Sequence, residues 1–182
     1  MRNQKARPGL SAEEEAQRHR DISLWGDRYF ETQEDLKCGR HAVNNVMGGP
    51  QFVDADVHRA VDEVVSDVGE SQDQHAGPRG WYSHSTLANQ FELTLPCWVL
   101  QLQPAKPCDY DQVVESTNVC GILINIANAH WVCVCKEKGA LFYVDSLHAP
   151  TIIGRSDFEQ IITKYPMSFP VVTNEFVPRL IW

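Results

Sequence analysis

Cys38 stands where a thiol can act. It follows Gln33 by five residues and opens the segment Cys38-Gly39-Arg40-His41-Ala42-Val43-Asn44-Asn45, which reads as a helix until Gly48-Gly49 ends it. A cysteine there meets the positive end of a helix dipole. That position favours the thiolate, which is the nucleophilic form of sulfur. A free cysteine is more often a small buried hydrophobe, so the chemistry depends on a base supplied from elsewhere in the chain.

His130 supplies one. It begins a strand-like run after the short connection Asn128-Ala129, and Asp145, fifteen residues on, ends the next run in Tyr143-Val144-Asp145-Ser146. A tight hairpin folds those two ends together and sets a carboxylate beside an imidazole. In acyl transfer His130 takes the proton of Cys38 and later returns one to the leaving amine, while Asp145 fixes the tautomer and direction of the ring. Gln33 can aim an amide N–H at the developing oxyanion, together with the Cys38 backbone N–H; removing such a donor typically costs on the order of 10²–10³ in turnover. His41 is the rival base, three residues from Cys38 on the same helix, and it ranks second because it has no evident orienting acid. Asn44 and Asn45, one turn further on, are assigned to local hydrogen bonding.

The surrounding elements must bring Cys38 and His130 together. With 182 residues, 43% hydrophobic and 22% charged, the chain is expected to form one globular domain with one sizeable core. A polar arm over residues 1–20, with a capping box at Ser11 and Glu14, precedes a single catalytic domain over 21–182. Leu24, Trp25, Tyr29 and Phe30 dock the chain ahead of Gln33. Asp54 is placed as the cap of a helix striped with Val57, Ala60, Val61, Val64, Val65 and Val68. The breaker-rich stretch Gly69 to Gly80, with Gly77 and Pro78, reads as a mobile loop, and Ser83 or Ser85 starts a helix carrying Leu87, Phe91 and Leu95 that Pro96 ends.

The second half turns to β structure. Cys97 to Leu102 is a strand candidate, Pro104 and Pro107 bracket a turn, and Tyr110 to Thr117 is a short helix. Val119 to Ala127, Trp131 to Cys135 and Leu141 to Val144 are strands joined by hairpins. Ser156 and Glu159 suggest a capping box for a helix bearing Phe158, Ile161, Ile162 and Tyr165, which Pro166 stops; Phe169 to Thr173 adds a last strand. Helices first and a mainly antiparallel sheet second give an α+β fold.

Composition limits the partners. A formal net charge of −8 argues against nucleic acid, which rewards clustered Lys and Arg. No apolar run approaches the roughly 20 residues a bilayer span needs, and the polar start is wrong for a secretory signal. Six cysteines without an export signal read as reduced thiols. The absence of any C-x-x-C argues against a structural zinc site, and neither metal nor cofactor is expected. The expected location is intracellular and cytoplasmic, with the nucleus left open.

These residues resemble a family, the Josephin domains, papain-like cysteine proteases that cleave ubiquitin. The matching features are Gln33, Cys38, His41 and Asn44-Asn45, then Gly80-Trp81-Tyr82-Ser83 ahead of a helix, then His130-Trp131 and Tyr143-Val144-Asp145-Ser146-Leu147. The resemblance runs from about Thr32 to Val172. It implies a papain-like fold and a deubiquitinase that cuts peptide or isopeptide bonds after the C-terminal glycine of ubiquitin, with Cys38, His130 and Asp145 as triad and Gln33 as oxyanion donor. The implied partners are ubiquitin, polyubiquitin and ubiquitinated proteins. The segment between the Cys38 helix and Gly80 shows little match to the family's helical hairpin. Alternatives are a papain-like peptidase on another substrate, such as the double-glycine leader class, a catalytically silent ubiquitin-binding module, and an acyl transferase using an amine in place of water.

Overall fold

The computed structural model describes residues 11–35, 37–77, 82–95, 97–101 and 109–173. Pro78, Gly80, Trp81, Pro96, Leu102, Pro104 and Pro107, on which parts of the sequence reading rest, lie outside the described residues, as do residues 1–10 and 174–182. Helices lead the chain: α1 (Ala12–Trp25), α2 (Cys38–Met47), α3 (Asp54–Val68), α4 (Gln72–His75) and α5 (His84–Thr94). They are followed by β1 (Trp98–Leu100), α6 (Tyr110–Glu115), β2 (Val119–Ile126), β3 (His130–Glu137), β4 (Ala140–Val144), β5 (Thr151–Ile153), α7 (Arg155–Lys164) and β6 (Ser168–Thr173). The strands form one sheet in the order β1-β6-β2-β3-β4-β5, with every neighbouring pair antiparallel. The α+β expectation therefore matches the architecture.

The period-two pattern of β3 divides the core between two faces. Trp131, Cys133 and Cys135 pack with Ala42, Val43 and Val46 of α2, with Leu87 and Phe91 of α5, and with Phe52. Val132 and Val134 face the other way, toward Val113 of α6 and Phe158 of α7. Two glycines let α2 lie close to its neighbours. A Cβ at Gly121 would run into the Val134 carbonyl and the Val46 side chain, and one at Gly39 would come within 2.9 Å of Tyr82 Cδ2. Any larger residue at Gly121 would push the helix off the strand, and Cys38 with it.

The central hairpins are tight because their turns adopt left-handed backbone. Ala127 and Asn128, in the three-residue connection 127–129, have φ of 52° and 55°, and Lys138 and Gly139, which form a two-residue connection, have 48° and 78°, a left-handed twist that suits tight hairpins. The first turn sets His130 opposite Ile126 at the start of β3. The second sets Val144 beside Cys133, so that Asp145 emerges at the same end of the sheet as His130.

Several local expectations change. The Ser11–Glu14 capping box is present, but α1 runs on without a break to Trp25. Trp25 packs edge-on against Phe142 at 5.0 Å, whereas Leu24 stays exposed. Asp54 is the first helical residue of α3 rather than its cap: Asp56 takes the Val53 N–H (3.1 Å), freeing Asp54 to pair with Lys37 and Arg40. Likewise Asp157 takes the Gly154 N–H (3.1 Å) and starts α7 before Ser156, whose hydroxyl instead accepts from Gln160. Part of the Gly69–Gly80 stretch is helical, since Gln74 satisfies the Ser71 N–H and permits the one-turn α4. Ser83, not Ser85, caps α5. Strand β5 was not expected; it is short and gains its order from pairing with β4.

Candidate functional site

Cys38 is the first residue of α2, and Lys37 before it makes no side-chain cap. The first-turn N–H groups therefore carry no competing side-chain oxygen, and their partial positive charge acts on the sulfur. Val43 and Val46, both buried, fix the helix from beneath, and Gly48 in left-handed conformation ends it by donating to Asn44 and Asn45 carbonyls. Cys38 itself is 3% exposed, so its thiol is almost enclosed.

Cys38 lies close enough to His130 to be the largest influence on its ring. His130 Nε2 lies 3.0 Å from Asp145 Oδ1. Because the carboxylate can only accept, Nε2 carries the proton, and Nδ1 is the ring nitrogen not engaged by Asp145. Cys38 raises the His130 pKa to about 9; burial opposes the rise and the Asp145 bond and charge reinforce it. Burial pushes the Asp145 carboxyl up, but the Leu147 N–H, His130 and His148 together outweigh it and hold the group below the usual carboxylate range. A raised imidazole and a lowered carboxyl are the directions in which a base held by its acid moves when it serves a thiol nucleophile.

Gln33 is held by the turn that carries the acid. Its backbone N–H donates to Ser146 O (2.9 Å), and its Oε1 accepts from Ser146 Oγ (3.0 Å). Its Nε2 donates to Asp35 O (2.9 Å). A carbonyl can only accept, so this contact fixes the amide orientation and assigns the donor role to the Ser146 hydroxyl. One amide hydrogen of Gln33 is thus engaged with Asp35, leaving the second for a ligand. Ser146 is buried, and the sequence reading gave it no role beyond the motif.

His41 points away from this chemistry. Its ring is completely buried, Nε2 accepts from the Glu34 N–H (3.2 Å), and Nδ1 lies 2.9 Å from Glu31 Oε1 without hydrogen-bond geometry. So His41 does have a carboxylate beside it, which the sequence reading missed because Glu31 lies ten residues upstream. Asn44 and Asn45 also reach further than expected. Asn44 Nδ2 donates to Glu31 Oε2 (2.6 Å) and Asn44 Oδ1 accepts from Phe52 N (2.9 Å). Asn45 brackets the Glu31 backbone, accepting from its N–H (2.6 Å) and donating to its carbonyl (3.1 Å). Together they lash the segment leading to Gln33 onto the helix that begins with Cys38.

The other described thiols have different surroundings. Burial pushes the Cys120 thiol up to about 12 and raises Cys133 as well. Cys133 and Cys135 are completely buried, with sulfurs 3.5 Å apart, beneath α2. Among the described residues, no group of three His, Cys, Asp or Glu side chains is arranged to hold a metal ion, and no helix is long and apolar enough to cross a membrane.

No protein-family model matches the chain. The chain is 27% identical over 143 residues to a protein described as an Ataxin-3 homolog, from Arabidopsis thaliana. The match covers 68% of this chain and 49% of that protein, so the chain spans about half the length of the curated relative it matches. The likeness is distant, and with the mixed helix and antiparallel-sheet architecture it is compatible with a Josephin-like fold.

Proposed function

We propose that this chain is a papain-like thiol hydrolase that cleaves the peptide or isopeptide bond after the C-terminal glycine of ubiquitin. The observation that carries the reading is the position of His130, held by Asp145 at 3.0 Å and close enough to Cys38 for that residue to dominate its titration. The distant likeness to an Ataxin-3 homolog supports a deubiquitinase-like activity over other thiol chemistry.

In this reading the Cys38 thiolate attacks the carbonyl carbon of the terminal glycine, forming the C–S bond while the carbonyl oxygen takes up negative charge. The Cys38 backbone N–H and the free amide hydrogen of Gln33 stabilise that oxyanion. His130 gives its proton to the departing amine as the C–N bond breaks, leaving a thioester. Neutral His130 then takes a proton from water, whose oxygen attacks the thioester, and the thiolate leaves with imidazolium restored. Asp145 keeps the ring in the Nε2–H tautomer throughout. The net charge of −8 suits a basic peptide tail entering the cleft. An intracellular, cytoplasmic setting goes with this reading.

Ubiquitin bearing a C-terminal electrophile is expected to form one covalent adduct, at Cys38, that Cys38→Ala abolishes. An adduct that persists in Cys38→Ala, or a wild-type chain that never reacts and releases no ubiquitin from a conjugate, overturns the proposal. Micromolar ubiquitin binding unaffected by Cys38→Ala, with no cleavage, would make the chain a binding module instead.

A further inference from the structure

Asp145 serves two histidines. Its Oδ1 accepts from His130 Nε2 (3.0 Å) and from the Leu147 backbone N–H (3.0 Å), while its Oδ2 lies 3.2 Å from His148 Nδ1. Since the carboxylate only accepts, His148 donates from Nδ1. The backbone delivers the ring to that place: His148 N–H donates to Asp145 O (2.9 Å) and closes the turn Asp145-Ser146-Leu147-His148.

We propose that His148 is a positioning residue, holding the outer oxygen of Asp145 so that the inner one stays aligned with His130. The inference rests on the triad reading above. A carboxylate gripped through one oxygen can pivot about its terminal bond, which is a soft two-fold torsion. A donor on each oxygen fixes its plane. With the plane fixed, Oδ1 holds the Nε2–H bond in line and so aims the opposite nitrogen of His130 at the Cys38 sulfur. The side chain of Asp145 is 15% exposed whereas that of His148 is 67% exposed, so this donor approaches the acid from the more open side. Orientation of an imidazole by its acid is worth orders of magnitude in turnover when lost altogether; losing one of three donors to that acid should cost a small part of that.

The test compares wild type, His148→Ala and His148→Asn. The asparagine Nδ2 occupies nearly the place of the imidazole Nδ1 and can donate to the same oxygen. Two readouts are taken: ubiquitin-conjugate cleavage, and alkylation of Cys38 by iodoacetamide against pH, followed on the Cys38 peptide by mass spectrometry. His148→Ala is expected to lower kcat about 3- to 10-fold with KM within about twofold of wild type, and to weaken the reactive limb of Cys38 alkylation below pH 7. His148→Asn is expected to recover most of both. The proposal is overturned if His148→Ala matches wild type in both readouts, or if only KM moves, which marks a substrate contact. It is overturned too if His148→Asn fails as badly as His148→Ala while alkylation is unchanged. The underlying reading fails separately: a wild type that alkylates at low pH yet cleaves no conjugate is not a deubiquitinase, and the alkylation series still tests His148.

Discussion

Two imidazole–carboxylate contacts flank the head of α2, and their lengths barely differ. His130 and Asp145 are 3.0 Å apart, His41 and Glu31 2.9 Å. What separates them is the remaining ring nitrogen. That of His130 is left unengaged by Asp145, with Cys38 the strongest influence on the ring, whereas that of His41 accepts a backbone N–H from Glu34. Burial differs in the same sense: the His130 side chain is 23% exposed and that of His41 is 0% exposed. A carboxylate therefore does not make a histidine a base. A base needs one nitrogen left for the reacting group and a path to it, and only His130 has both.

Removing each ring in turn breaks the comparison most sharply. His130→Ala is expected to reduce conjugate cleavage about 10³- to 10⁴-fold while leaving the urea midpoint nearly unchanged, as judged by single-turnover assays beside equilibrium unfolding. Comparable activity in His130→Ala and wild type would end the assignment. His41→Ala is expected to do the reverse. It opens a cavity at a fully buried ring and leaves the Glu34 N–H without its acceptor, so unfolding stability should fall by about 3 kcal/mol. Activity per folded molecule should drop less than about tenfold. A stable His41→Ala chain with no activity would reverse the two roles.

Gln33 extends the contrast to the substrate side at smaller magnitude. Gln33→Ala removes an amide donor and the acceptor of the Ser146 hydroxyl, and is expected to cost about 10²-fold in kcat. Ser146→Ala leaves the amide in place but frees it to rotate, so its loss should be clearly smaller. Equal losses in the two variants would mean that Gln33 acts only by bracing the turn.

The same contrast explains what the sequence disclosed. The hairpin that joins His130 to Asp145 was legible because two strands, a short turn and a fifteen-residue offset determine where their ends meet. The head of α2 was legible because Gly48-Gly49 punctuates the helix that Cys38 begins. Glu31 was not legible: its contacts with His41, Arg40, Asn44 and Asn45 arise only once the segment before Gln33 folds back over α2, and no local period encodes that. Ser146 and His148 were hidden for a related reason, since one turn orients both and a turn residue is ordinarily just polar. The starts of α3 and α7 were misplaced because an acidic side chain three residues in, Asp56 or Asp157, can satisfy a backbone N–H that the sequence reading assigned to another cap.

The finest test of the comparison is the pH dependence of stability. His130 has its pKa raised from 6.5 to about 9, with Cys38 as the largest cause. A folded-state pKa above the unfolded one means that the folded chain binds the proton more tightly. The stabilisation is therefore complete below about pH 6.5 and is lost as pH rises through about 9. The difference in unfolding free energy between wild type and His130→Gln, followed by urea melts from pH 6 to 10, cancels the titration of distant groups. It should shrink steadily across that window. Repeating the pair on a Cys38→Ala background removes the main cause of the shift, so the decline should begin nearer neutrality and be shallower. A difference that stays flat from pH 6 to 10 would show that neither partner raises the His130 pKa, and one indifferent to Cys38 that Asp145 alone does so; either result leaves His130 no closer in kind to a catalytic base than His41.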